Sequence, residues 1–252
     1  MQTGQWQQAE DLLRQGLEVS PEDAEVRRQL AEALWHRGAA NEAMSHIAAA
    51  VRLEPGDALL AVRAGEMALA AGAREAALQR AEDAIRIDPR LASAWALRGR
   101  SFRQLNQPDR ALADLQRALV FDPDNAETLL ELAMMYREKG EPARCLTTLH
   151  HLHDTYPPGE EPQNALMLEG LTLMDLKRPH QASEVLLTAT QRGPANADLL
   201  FRVAQAQSAV GNHAAATTTV QQALAVDSAH QASRELLSQL AALPTPAAPE
   251  RR

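Results

Sequence analysis

The sequence predicts an all-α chain of stacked helical hairpins, an α-solenoid, and three observations carry that expectation. Proline recurs at Pro21, Pro55, Pro89, Pro123 and Pro157, in equal steps of 34 residues. A fixed period of this size marks repeated supersecondary units, each of which buries its apolar face only against its neighbours. Small residues keep the same phase. Ala43, Ala77 and Ala111 each lie 22 residues after a proline, with Cys145 in that place in the next unit, and Ala50, Ala84 and Ala118 lie 29 after, with Leu152 as the exception. Finally, hydrophobic residues make up 45% of the 252 but aromatics only 3%. That balance suits thin layers of Ala and Leu, and no run of alternating β-branched residues reads as a strand.

Within a unit the elements follow from local chemistry. Gly38, Gly72 and Gly140, seventeen residues after their prolines, interrupt an apolar-periodic run. A helix C-terminus does this, so each unit splits into two helices of roughly 12–15 residues. The proline stops the second helix, because it has no N–H to donate and clashes with the preceding turn. Asp23, Asp57, Asn125 and Asn196 follow their prolines by two residues and suit the N-cap of the next helix. Gly65 and Gly99, with the in-phase alanines, mark where helix backbones approach closely.

The chain opens in mid-repeat. Residues 1–21 read as a half-repeat, with Gly4 at the inter-helix glycine position and Ala9, Leu13 and Gly16 matching a second helix. Two readings follow: a piece of a longer protein with repeats or an anchor upstream, or a lone capping helix with Trp6 covering its open side. An open end of this kind leaves apolar surface that favours self-association. Six complete units are expected at 22–55, 56–89, 90–123, 124–160, 161–194 and 195–228. The fifth proline step arrives three residues late, at Pro194, and Pro158–Pro162 is where the insertion belongs. With that shift Gly170, Ala182, Leu186 and Ala189 fall into register, and the last unit ends at Ser228. Residues 229–243 read as a capping helix, with Ala232, Leu236, Leu240 and Leu243 on an apolar face and Ser233, Arg234, Ser238 and Gln239 on a polar one. The Pro/Ala-rich tail 244–252 reads as disordered.

The third unit, Trp95-Ala-Leu-Arg-Gly99 followed by Phe102, Ala111, Leu115, Ala118 and Asp122-Pro123, resembles the tetratricopeptide repeat family. The resemblance covers about residues 5–228. The match is looser elsewhere: Arg27 and Ala61 stand where Trp95 does, and Gln207 where Phe102 does. It implies a right-handed superhelix whose concave side is lined by the first helix of each pair, and a non-catalytic scaffold that binds a partner protein or peptide there. A carboxylate clamp of Lys and Asn does not carry over, because the corresponding row holds Glu32, Glu66, Arg100 and Met134.

On that face the lining residues lie 4, 7, 8, 11 and 14 after each proline, positions that share one side of a helix. The N-terminal units are polar and charged there, and the fifth, with Asn164, Met167, Leu168, Leu171 and Met174, is apolar. The candidate partner-binding residues are therefore Leu130, Met134, Met167, Leu171, Met174 and Phe201, with Arg100, Arg103 and Arg137 beside them to take an acidic segment.

Other functions find little support. There is no phosphate loop, His-Glu-x-x-His, Cys-x-x-Cys or nucleophile elbow, so neither catalysis nor a cofactor is expected. His150, His151, His153 and Asp154 cluster on one helix, but they offer one face only two ligands, so no metal is expected. A net charge of −8 disfavours nucleic acid. One cysteine excludes an intramolecular disulfide, and no signal peptide or long apolar stretch appears. The expected setting is bacterial and cytoplasmic. Two alternatives stand beside the free scaffold: an accessory segment of a larger transferase-like enzyme, and a periplasmic assembly factor tethered by an upstream anchor.

Overall fold

The computed structural model describes residues 3–242. Among them are fourteen α-helices and no strand, the all-α solenoid class that the repeat period predicts. In chain order they are α1 (Thr3–Val19), α2 (Ala24–His36), α3 (Ala40–Leu53), α4 (Ala58–Ala70), α5 (Arg74–Ile87), α6 (Ala92–Gln104), α7 (Pro108–Phe121), α8 (Ala126–Glu138), α9 (Pro142–Asp154), α10 (Gln163–Asp175), α11 (Pro179–Gln191), α12 (Ala197–Ala209), α13 (His213–Val226) and α14 (Gln231–Ala241). Even-numbered helices from α2 to α12 are the first members of pairs, and α14 follows the last pair. The chain forms two compact units, Met1–Thr128 and Leu129–Arg252.

The helix ends obey the sequence signals and extend them. Asp23, Asp57 and Asn196 accept from the backbone N–H of Val26, Leu60 and Leu199, as N-caps do. Asn125 accepts from Thr128 at 3.0 Å in the same way. Gly38, Gly72, Gly140 and Gly211 take positive φ between paired helices. Two units lack glycine there, and Asn106 (φ 58°) and Lys177 (φ 61°) adopt the same left-handed turn. Pro108, Pro142 and Pro179 open α7, α9 and α11, where a missing N–H costs nothing.

In the first unit, α2 packs on α3, α4 on α5 and α6 on α7, and successive pairs also meet. Ala43, Ala77 and Ala111 are fully buried in the slots that let these backbones approach, as are Ala50 and Ala84. The second unit repeats the scheme with α10 on α11 and α12 on α13. There Cys145, Ala182, Leu186, Ala189, Ala216, Val220 and Ala223 are wholly buried, so the register carried past the insertion holds. The inserted residues lie in the long connection between α9 and α10.

Position six after the repeat proline shows, in two of the units, how unlike residues do one job. The Trp95 indole N–H donates to the Pro89 carbonyl at 2.9 Å. Arg27, which stands in that place two units earlier, donates from Nε to the Pro21 carbonyl at 3.0 Å. Arg234 reaches the Ser228 carbonyl likewise.

The ends differ from expectation in detail. α1 begins at Thr3 and runs through Gly4, so no helix boundary falls at that glycine. Leu13 and Leu17 pack on Leu30, Leu34 and Ala43, the Trp6 ring stacks on His36 with centroids 4.2 Å apart, and Leu12 and Val19 are exposed. In α14, Ser233 is fully buried rather than part of a polar face. It shares a face with Leu237 and Leu240, and its hydroxyl lies 2.8 Å from His230 Nδ1, which supplies the partner that burial demands. Leu243 and the tail 244–252 lie outside the described residues.

Candidate functional site

In the first unit the first helices carry a continuous ladder of opposite charges. Arg63 of α4 grips Glu32 of α2 through two guanidinium nitrogens and reaches Glu66 at 3.1 Å. Arg100 of α6 lies 3.9 Å from Glu66 and 2.6 Å from Glu127. Arg63 is held above its ordinary pKa, chiefly by the hydrogen bond to Glu32, against the opposing effect of burial. At the outer end Arg28 pairs with Glu25 at 2.5 Å, and this hydrogen bond, with a second from Gln29, lowers the Glu25 carboxyl to about 2. Beneath the ladder lies a cavity of about 490 Å³ floored by Trp35, Met67, Leu69 and Leu97.

The stripes of these units already contain Trp35, Leu69 and Leu97 beside their charges, but read one unit at a time they do not show that these residues share a cavity. The available signal is the spacing of Glu32 and Arg63, 31 residues apart, one repeat less about one turn. Such pairs neutralise each other and leave the apolar floor between them. Arg100, one of the arginines expected to take an acidic segment, pairs with Glu127 within this ladder. Arg103, one turn along α6, is half-buried.

In the second unit, Leu130 and Met134 sit on α8, Met167, Leu171 and Met174 on α10, and Phe201 on α12. All six are half-buried. Their helices send other side chains into the core: Leu129, Leu132 and Ala133 from α8, Leu166 and Leu173 from α10, Leu199 and Val203 from α12. Met167 and Met174 pack against that core with part of their surface. Phe201 turns toward the end of the unit, its ring 5.7 Å from that of His230, and lines a small cavity with Leu236 and Gln239 of α14. Arg137 of α8 donates to Asp175 of α10 at 2.7 Å, so it too already holds an acidic partner.

The histidine cluster resolves into ordinary pairings. His153 Nε2 lies 2.9 Å and His150 Nε2 3.6 Å from the carboxylate of Glu169 on α10. Among the described residues no group of three or more His, Cys, Asp or Glu side chains is placed to hold a metal ion. Cys145 is buried, its Sγ 3.1 Å from Thr172 Oγ1, and burial pushes its thiol pKa up. No helix among the described residues is long and apolar enough to cross a membrane.

Family models for the tetratricopeptide repeat match residues 1–65, 92–135 and 167–229, and the chain belongs to that family. Repeat proteins of this family are generally non-catalytic scaffolds. Solved structures agree in fold. A chain of the APC/C hetero-tetramer Cut9–Hcn1 superposes with a TM-score of 0.75 at 14% identity over 94% of this chain, which spans only 46% of that longer one. PilW, a widely conserved type IV pilus biogenesis factor, gives 0.74 at 19% identity over 85% of this chain and 98% of its own. YrrB, a tetratricopeptide repeat protein with an unusual peptide-binding site, gives 0.56 at 22% identity over 75% and 95%. A search of curated proteins by sequence finds no match.

Proposed function

We propose that this chain is a non-catalytic scaffold that binds an extended segment of a partner protein on its first-helix side, the concave side in this family. The binding row is Leu130, Met134, Met167, Leu171, Met174 and Phe201. One observation carries the reading: these six large apolar side chains on three first helices are all left half-buried, while their neighbours on the same helices fill the core. Methionine adapts to varied side chains, which suits a surface that receives a peptide. A patch of ~400 Å² at ~25 cal/mol per Å² contributes about 10 kcal/mol. Association costs about 4–15 kcal/mol, so binding through this row alone is micromolar or weaker. Arg137 already pairs with Asp175, so an acidic segment gains from it only by exchanging partners.

The net charge of −8 argues against nucleic acid as the partner. The similarity to a peptide-binding repeat protein and to subunits of assemblies supports a protein partner in kind. Leu171→Glu tests the row. The variant is expected to keep the helical circular dichroism of the wild type and to lose its partner in affinity capture from the native lysate. A folded variant that captures the same partner equally well contradicts the assignment.

A further inference from the structure

The place filled by Trp95 in one repeat is left open in the preceding one. Trp95 lies between two arginines, with the Arg98 guanidinium 4.6 Å and that of Arg117 5.7 Å from its ring centroid, and its N–H is satisfied by the Pro89 carbonyl. One repeat earlier the same position is Ala61, the neighbour equivalent to Arg98 is Ala64, and Ile87 stands in the place of Phe121. A groove of about 430 Å³ remains there. It is bounded by Val51 and Arg52 of α3, by Pro55, and by Arg80, Asp83, Arg86 and Ile87 of α5, with Ala61 as its floor.

The charge around it is unusual for this protein. Three arginines face one aspartate, in a chain whose net charge is −8. Asp83 pairs with Arg86 at 2.7 Å and lies 3.7 Å from Arg80. Arg52 is exposed and lines the groove with Val51 and Ile87. The next repeat shows that an indole fits this place, although the two arginines over its ring, Arg98 and Arg117, correspond here to Ala64 and Asp83, so the cations of this groove come from other positions.

We propose that this groove, on the second-helix side and separate from the row described above, docks an aromatic side chain of a partner protein flanked by acidic residues. The ring takes the place that Trp95 occupies one repeat later, against Val51, Pro55 and Ile87. The neighbouring carboxylates pair with Arg52 and with the guanidinium groups of Arg80 and Arg86 that Asp83 leaves under-neutralised.

The probe is a blocked peptide, acetyl-Gly-Asp-Trp-Asp-Gly-amide carrying 5-fluorotryptophan, titrated with the whole chain and followed by its fluorine resonance. Saturable broadening by the wild type is expected. The same peptide with lysine for both aspartates should bind about tenfold more weakly. Ala61→Trp fills the groove from within, so it should keep the fold and weaken the acidic peptide by about tenfold or more. Arg52→Glu, which alters an exposed side chain outside the core, carries the same test without risk to folding and should weaken binding by a similar factor. Absence of saturable binding to the wild type overturns the proposal. So does binding by Arg52→Glu, or by folded Ala61→Trp, that matches the wild type.

Discussion

Gly170→Ala should destabilise the second unit, although a helix interior ordinarily gains from this change. Gly170 sits mid-way along α10 where that helix crosses α11. A Cβ built there falls 2.4 Å from Leu186 Cγ, 2.6 Å from Cδ2 and 3.1 Å from Cδ1. Leu186 is wholly buried among Leu166, Leu173, Ala182, Ala189 and Val203, so its branch point has nowhere to retreat. Alanine gains about 1 kcal/mol of helix propensity over glycine, while overpacking a dense core costs about 1–3 kcal/mol. The clash lies at a branch carbon rather than a free methyl end, so the net is about 1–2 kcal/mol of destabilisation. Gly16→Ala is the internal control. Its Cβ would lie 3.4 Å from Val26 Cγ1, ordinary contact, and propensity should stabilise that variant by about 1 kcal/mol. The assay is the urea midpoint by far-ultraviolet circular dichroism, with a double-mutant cycle adding Leu186→Ala. Alone, that truncation costs about 2–5 kcal/mol. In the Gly170→Ala background the new methyl enters the vacated space, and a favourable coupling of about 1–3 kcal/mol is expected. Equal stabilisation by Gly16→Ala and Gly170→Ala, or a cycle without coupling, would refute the close-approach argument.

Three further outcomes follow from individual contacts. The Glu25 carboxyl should titrate near 2 by carbon-detected NMR, and Arg28→Ala should return it toward the ordinary value of about 4.3. A depressed folded pKa means that its stabilisation is complete above the unfolded value and is lost as pH falls toward 2. The pair is well exposed, so the amount is at most about 1 kcal/mol. Arg63→Met strips Glu32 of its bidentate partner and leaves it near Glu66. It should cost about 1–2 kcal/mol in chemical denaturation, and adding Glu32→Gln should recover part of the loss. Cys145 should resist Ellman's reagent in the folded chain and react on unfolding, because burial raises its thiol pKa. Cys145→Ala should cost about 1 kcal/mol or less, since alanine fills that slot in neighbouring repeats.

Repeat phase made most of the fold legible. One proline period and two alanine positions place the close-approach slots of the hairpins, since Ala43, Ala77, Ala111 and Cys145 occupy one geometrical site and are all buried. Where one residue type carries the signal, the reading is sound. It falters where chemistry is shared among unlike residues. Asn106 and Lys177 make the same left-handed turn as the glycines, and Arg27 does the work of Trp95, yet neither equivalence has a common letter in the sequence. Ser233 looks polar and is buried, because a small hydroxyl with a histidine partner fits a tight crossing. The candidate site was half legible. The apolar row stands out by periodicity, whereas the pairing of Arg100 with Glu127 and of Arg137 with Asp175 joins residues 27 and 38 apart and becomes visible only once helices are neighbours.

The most direct test of the central claim is hydrogen–deuterium exchange of the whole chain with and without its captured partner. Added protection concentrated in α8, α10 and α12, around Leu130, Leu171 and Phe201, is the predicted footprint. Protection confined to the second helices α9, α11 and α13, with the first helices unchanged, would contradict it.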